Sequence, residues 1–408
     1  MPGHDATTAT GGINSTNSTG GTNGTGGTGE VPFFTGAASL RRDWPELARR
    51  VRRIAESGRF TAGETVAELE AAIAGYTGAR HALACNSGTD ALIIALRAAG
   101  IGPGDEVIVP AYSFFASASA VLHAGARPVL VDVLPGSYAM DAERAAAAIT
   151  QRTRAIMPVH LFCQTADLVA LCELADDYGL QVIEDSAEAI GMRVHRPGED
   201  VPRHAGRWGR AGVLSFFPTK TLGGLGDAGM VLTDDDELAA TAARLRVHGD
   251  DGQYHWRELG WNSRCDELQA AVLLTRLRRL DADIERRAEL AAHYTQRLAP
   301  LSGVLSTPWQ APAKRQSNLV WYVYLVETER RDELAAYLAG NGVGTEVYYP
   351  RPLSHQPCLR SLPGAAQPVP VALQASRRAV ALPLYPDLTH DQVDRVCDLV
   401  TSFHGGGS

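Results

Sequence analysis

A chain of 408 residues, 45% hydrophobic and 21% charged, has ordinary globular composition and enough material for a large core plus a second domain. Its net charge of −8 opposes nonspecific nucleic-acid binding, and no apolar run approaches the ~20 residues of a membrane helix. The six cysteines and twelve histidines show no metal-ligand spacing, and the first residues carry no basic-then-apolar leader, so reduced thiols, no metal and a cytoplasmic setting are expected.

Residues 1–30 are Gly, Ser, Thr and Asn almost throughout and are expected to form a disordered tail. The Asn-X-Ser/Thr triplets at Asn14, Asn17 and Asn23 read as composition rather than glycosylation. Between Leu40 and Phe60 stand seven arginines, with Trp44, Leu47, Val51 and Ile54 at helical spacing behind Asp43 as N-cap. The arginines read as the wet face of that helix; holding an anionic ligand is the alternative. A second helix over Thr65–Tyr76 turns Val66, Leu69 and Ile73 inward. A short strand, His81–Cys85, then meets Asn86-Ser87-Gly88-Thr89-Asp90 and a helix over Ala91–Ala99. Small residues at such a junction leave backbone N–H groups free to hold a phosphate, though Ser-Gly-Thr-Asp is equally a good N-cap.

Strand and helix signals alternate from there. Strands are expected at Val107–Val109, Pro128–Val133, Ala155–Val159 and Gln181–Ile183, helices at Ser113–His123, Ala142–Ile149 and Ala166–Tyr178. This rhythm implies an α/β fold with a mostly parallel sheet covered on both faces. Phe114 and Phe115 follow a strand end, where either could lie on a flat ligand ring or pack in the core. The polar stretch Arg193–Arg210 is placed to border a site. Glu237–His248 and Ser263–Leu298 read as helices, Asn318–Val326 and Thr345–Tyr349 as strands, Arg331–Gly340 and Asp391–Phe403 as helices. The chain therefore divides into a tail (1–30), a large domain (31–298) and a smaller α+β domain (299–408).

The stretch from Val182 to Leu232 carries the chemistry. One buried strand delivers Glu184 and Asp185 at its end; a second, Val213–Phe217, leads through Ser215 and Thr219 to Lys220 and a glycine-rich turn. In open α/β sheets, ligands sit beyond the carboxyl ends of the strands. A lysine and a strand-end carboxylate are what pyridoxal phosphate requires: an amine to bond its aldehyde and an acid to keep its pyridine nitrogen protonated. Desolvation and neighbouring cations are expected to lower the lysine pKa and activate the amine.

With these residues in place, the chain resembles the sugar aminotransferases of pyridoxal phosphate fold type I, the DegT/DnrJ/EryC1/StrS family, from about Gly58 to Phe403. The resemblance is carried by Asn86-Ser87-Gly88-Thr89-Asp90-Ala91-Leu92, GIGPGDEVIVPAYSFFASA, PVHLF, VIEDSAEAIG, SFFPTKTLGGLGDAGMV, LRVHG, GWNSRCDELQAA and TEVYYPRPL. It implies a large domain built on a mostly parallel mixed sheet, with a smaller C-terminal domain. Lys220 would bond the cofactor and move the proton, and Asp185 would pair with the pyridine nitrogen. Ser215 with the backbone of Gly88 and Thr89 would hold the phosphate, and Phe114 would sit against the ring. Asn262 would reach the phosphate of a partner subunit, so a homodimer with shared sites is implied. Glu188 stands near the cofactor's phenolic oxygen where many members have Gln. Tyr349 and His355 are the implied substrate contacts, but the family's usual Pro-Leu-His-Leu-Gln-Pro is here Pro352-Leu353-Ser354-His355-Gln356-Pro357, with the histidine displaced. The 193–210 loop also exceeds the usual length.

The resemblance implies transfer of an amino group from L-glutamate to a 3- or 4-keto group of a nucleotide-linked deoxysugar, dTDP-linked by preference, by way of pyridoxamine phosphate. A keto-cyclitol acceptor and a non-catalytic, cofactor-binding regulator are the alternatives.

Overall fold

The computed structural model describes residues 29–252, 254–310, 318–362 and 367–405, so the expected tail lies outside the described residues apart from Gly29 and Glu30. The first two helices are α1 (Ala37–Ser57) and α2 (Glu64–Thr77). On α2, Leu69 and Ile73 are fully buried and Val66 nearly so, as their spacing requires; full burial of such a side chain contributes about 1.5–3 kcal/mol. α1 differs from expectation. It begins at Ala37, so Asp43 is no N-cap but a buried acid bonded to Arg279 at 3.1 Å. Trp44 is 57% exposed, and the buried stripe is Leu47 and Ile54 alone.

The strands are β1 (His81–Cys85), β2 (Glu106–Pro110), β3 (Arg127–Val131), β4 (Thr153–Ile156), β5 (Gln181–Asp185), β6 (Arg193–Val194), β7 (Arg203–His204), β8 (Ala211–Ser215), β9 (Gly229–Thr233), β10 (Tyr324–Glu327) and β11 (Ala379–Leu382). Between and after them run α3 (Gly88–Ala98), α4 (Phe115–His123), α5 (Ala142–Ala147), α6 (Leu168–Tyr178), α7 (Asp236–Leu245), α8 (Glu267–Leu277), α9 (Leu280–Leu298), α10 (Arg331–Gly340), α11 (Pro370–Arg378) and α12 (His390–Gly405).

Seven strands form one sheet in the order β1-β9-β8-β5-β4-β2-β3. The β3-β2-β4-β5-β8 run is parallel; β8-β9 and β9-β1 are antiparallel. The sheet is therefore mixed and mostly parallel, an α/β fold as expected. Successive strand side chains face opposite ways. Val213 of β8 joins the core shared with α3, α4 and α7, while Leu214 joins the core shared with α2 and α8.

From Val31 onward the chain packs as one compact unit. Its C-terminal third carries an antiparallel pair, β10-β11, and a core in which Leu290 and Tyr294 of α9 meet Val326, Leu334, Val380 and Val396. Three expectations fail beyond residue 260. The single helix over 263–298 is two, α8 and α9, because each packs elsewhere: α8 against α1 and α2, α9 against α12. The strand at 318–326 shortens to Tyr324–Glu327, since the carbonyls of Trp321 and Tyr322 are taken by the Arg287 guanidinium and the Tyr322 N–H by Phe162. No strand forms at 345–349; Glu346 makes an isolated bridge to Ala381, and the Tyr112 hydroxyl binds the Tyr348 carbonyl and the Tyr349 N–H. β9, β11 and α11 went unforeseen.

Candidate active site

The site assembles at the carboxyl ends of β1, β5 and β8. β5 and β8 run parallel with Asp185 opposite Val213, so the acid and the chain leading to Lys220 leave the same edge. Lys220 sits in a tight turn closed by its own N–H to the Phe217 carbonyl, 2.8 Å. A Cβ on Gly223 would lie 2.3 Å from the Pro218 carbonyl oxygen, so this turn admits only glycine.

The Lys220 ammonium donates to Glu188 Oε1 at 3.1 Å and lies 4.2 Å from the centroid of the Tyr322 ring. The Tyr322 hydroxyl is held in turn by Thr219 Oγ1, 3.0 Å. Glu188 is 4% exposed; its second oxygen accepts the Phe162 N–H at 2.7 Å. Burial pulls the Lys220 pKa down, but the negative charge of Glu188, with contributions from Tyr322 and Asp185, outweighs it and holds the lysine above its ordinary value. The expected lowering by neighbouring cations is thus overturned: the nearest charge is a carboxylate.

Asp185 is 4% exposed. Its oxygens accept the Ser117 hydroxyl at 2.7 Å and the Ala187 N–H at 3.3 Å, and among the described residues they take no charged hydrogen bond. Burial pushes its pKa up, opposed by Ser117, Ala187 and the positive field of Lys220. A buried acid served only by neutral donors is suited to a protonated ring nitrogen, and this fits the cofactor the sequence implied.

Strand alternation sends the adjacent Glu184 the other way. It is fully buried and accepts the N–H groups of Gly206 at 2.7 Å, Trp208 at 2.6 Å and Gly209 at 3.0 Å. His160 Nε2 lies 3.1 Å from it, and His160 Nδ1 accepts the Ala166 N–H at 3.1 Å, which leaves the ring proton on Nε2. His160 and the N–H groups of Gly209 and Gly206 outweigh burial and hold the Glu184 pKa below the usual carboxylate range. Glu184 is therefore the clasp for the 193–210 loop. That loop, with the β6-β7 hairpin, packs Val194 and Trp208 on Leu168 of α6 and is tied by Arg207 and Arg210 to Asp234 and Asp235. These ties run to Glu184, Asp234 and Asp235 rather than to Lys220, Asp185 or Glu188.

The phosphate candidates come together. Ser87 caps α3, its hydroxyl accepting the Asp90 N–H at 3.1 Å. A Cβ on Gly88 would stand 2.8 Å from Ser215 Cβ, so β8 and the α3 N-terminus abut with no room for a side chain. Thr89 lies in the same first turn. Phe114 and Phe115 are 58% and 38% exposed, so core packing does not account for them. Phe114 lies 6.1 Å from Tyr349 between ring centroids, and Tyr349 also packs on Tyr112, Phe162 and Tyr348. His355 is exposed and bonds Ser354 at 3.1 Å; among the described residues no hydrogen bond, ion pair or ring contact carries it to this cluster. Asn262 is exposed beside Ser263, whose hydroxyl donates to Asn86 at 3.0 Å. Ser117 and Tyr322 were missed. Ser117 lies one helical turn beyond Phe114 in the same Ser-Phe-Phe-Ala-Ser-Ala stretch; nothing in the sequence joins Tyr322 to Lys220.

The model of the DegT/DnrJ/EryC1/StrS aminotransferase family matches residues 43–401. A pleiotropic regulatory protein of Geobacillus stearothermophilus is 43% identical over 361 residues, 88% of this chain and 95% of its own length. A dTDP-3-amino-3,4,6-trideoxy-alpha-D-glucose transaminase of Streptomyces venezuelae is 41% identical over 370 residues, 91% of this chain and 95% of its own. The crystal structure of NtdA from Bacillus subtilis with bound cofactor PMP superposes with a TM-score of 0.83 at 31% identity, covering 93% of this chain and 86% of that one. The chain belongs to the DegT/DnrJ/EryC1/StrS aminotransferase family.

Proposed function

We propose that this pyridoxal phosphate enzyme transfers an amino group from L-glutamate to the 3- or 4-keto group of a nucleotide-linked, dTDP-type deoxysugar, in secondary-metabolite or surface-sugar biosynthesis, as a cytoplasmic homodimer. The observation that carries it is the convergence of Lys220 and Asp185 beside the Gly88–Ser215 contact. Bound there, the cofactor supplies a carbonyl for the amino group and a ring that spreads carbanion charge. Asp185 would hold the ring nitrogen's proton, while Ser215 and the N–H groups of Gly88 and Thr89 hold the phosphate. Phe114 would lie against the ring and Glu188 near its phenolic oxygen. The Lys220 amine would carry the proton to and from the amine-bearing carbon of the substrate. Tyr349 would meet the sugar; His355, exposed and bonded to the neighbouring Ser354, is the weaker candidate. Asn262 would reach a partner subunit's phosphate. The Streptomyces relative's name specifies a 3-amino sugar, which favours the 3-keto substrate.

The Geobacillus relative's name supports a second reading, a regulator that binds the cofactor without turnover. The intact Lys220 and Asp185 speak for catalysis. Purified protein is given labelled glutamate with a panel of keto-sugar nucleotides and keto-inositols. Label in a dTDP-amino sugar is expected. Label in a cyclitol alone would overturn the sugar assignment, and tight cofactor binding without any transfer would favour the regulator.

A further inference from the structure

Glu188 and Lys220 form a buried ion pair in the chain by itself, 3.1 Å apart, with 4% and 14% of their side chains exposed. Resting on the pyridoxal phosphate reading above, we propose that Glu188 is the proton acceptor for Lys220: it takes the ammonium proton the lysine must shed to bond the cofactor's carbonyl, and keeps it as a carboxylic acid while the cofactor is bound.

A protonated amine has no lone pair, so Lys220 cannot attack a carbonyl until one N–H bond breaks and leaves its electrons on nitrogen. Glu188 Oε1 is the base already in hydrogen-bond contact. Lys220–NH3+ and Glu188–COO− become Lys220–NH2 and Glu188–COOH, with no change in net charge. The lone pair then forms the bond to carbon, and the two remaining hydrogens leave with the carbonyl oxygen as water.

Once the nitrogen is engaged, no ammonium faces Glu188. Its other oxygen keeps one neutral donor, the Phe162 N–H. Among the described residues, the titratable groups around the pair offer no replacement cation. Asp185 and Tyr322 flank Lys220; Cys163, Tyr348 and Tyr349 face Glu188. His160, which faces Asp185, has its ring proton committed to Glu184. A carboxylate so enclosed, with no cation, is strongly disfavoured against its acid form. The acid form also turns an acceptor into a donor, so Glu188 can present an O–H to the cofactor's phenolic oxygen where a carboxylate would repel it.

The test is an infrared difference spectrum on adding pyridoxal phosphate to the cofactor-free protein, with visible absorbance recorded in parallel. A carboxylic-acid carbonyl band, one per subunit, is expected to emerge on loading, to shift in D2O, and to be missing in Glu188→Gln. Growth on 13C-glutamate shifts the band of the wild-type protein and assigns it to a glutamate, should the variant fail to fold. Lysine-bound cofactor in the visible with no acid band, or a band that persists in Glu188→Gln, overturns this proposal alone. No bound cofactor in the visible overturns the reading beneath it as well.

Discussion

The pKa values of Lys220 and Asp185 are both raised, and each shift has a geometric cause. Lys220 is held charged by Glu188; Asp185 is pushed toward its acid form by burial with only neutral donors. Lys220→Ala is expected to lower amino transfer by about 10²–10⁴-fold, the scale of a positioned proton carrier, and to abolish the lysine-bound cofactor absorbance. An absorbance band surviving that substitution would remove Lys220 from its role. Ser117→Ala strips Asp185 Oδ2 of its hydroxyl donor, 2.7 Å away. An unsatisfied buried acceptor costs about 1–3 kcal/mol, so the variant's urea midpoint should fall by that equivalent. An unchanged midpoint would mean that another donor replaces the hydroxyl.

The N-cap of helix α2 is Gly63, which brings no capping side chain. Its N-terminal donors are met instead by Glu267 at the start of α8: Oε1 accepts Gly63 N–H at 2.8 Å and Val66 N–H at 3.2 Å, and Oε2 accepts Thr65 N–H at 2.9 Å. A buried carboxylate serving a helix N-terminus from far along the chain stabilises both helices at once. Glu267→Ala should lower stability by about 2–3 kcal/mol, the upper end for charged hydrogen bonds, with hydrogen exchange rising first in α2. Uniform exchange across the molecule would deny α2 its dependence on that cap.

The β6-β7 hairpin makes a pH-dependent element. His204 is fully buried; Nε2 accepts the Gly191 N–H at 2.7 Å while Nδ1 donates to the Ala205 carbonyl. Burial drives its pKa down from 6.5 to about 4. The unfolded chain takes up this proton near 6.5 and the folded chain only near 4, so the neutral ring's contribution is complete above pH 6.5 and is lost as pH falls between the two values, by up to about 3 kcal/mol. Thermal melts across that window should fall steeply for the wild type and less so for His204→Gln; parallel curves would refute the assignment.

At the scale of the whole molecule, large apolar side chains stand exposed: Phe60, Phe217, Leu225, Trp256 and Leu259, the last at 87%. The proposed homodimer would cover side chains of this kind. Sedimentation should give a dimer, and Trp256→Asp with Leu259→Asp should shift it toward monomer. A wild-type monomer at all concentrations would end the role proposed for Asn262. None of the helices among the described residues is long and apolar enough to cross a membrane. What the sequence alone determined was local: the period of α2, of the strands and helices from β1 to β5 and of β8, and the order of strand-end Asp185, Ser215 and Lys220. Those follow from side-chain alternation and from residue types that pyridoxal phosphate chemistry requires. Only the tertiary structure decided the rest. That 263–298 breaks in two, that 345–349 is no strand, that Glu267 caps a distant helix and that Glu188 rather than a cation meets Lys220 all depend on partners remote in sequence. Spacing along one chain segment carries no information about a hydrogen bond made across the fold.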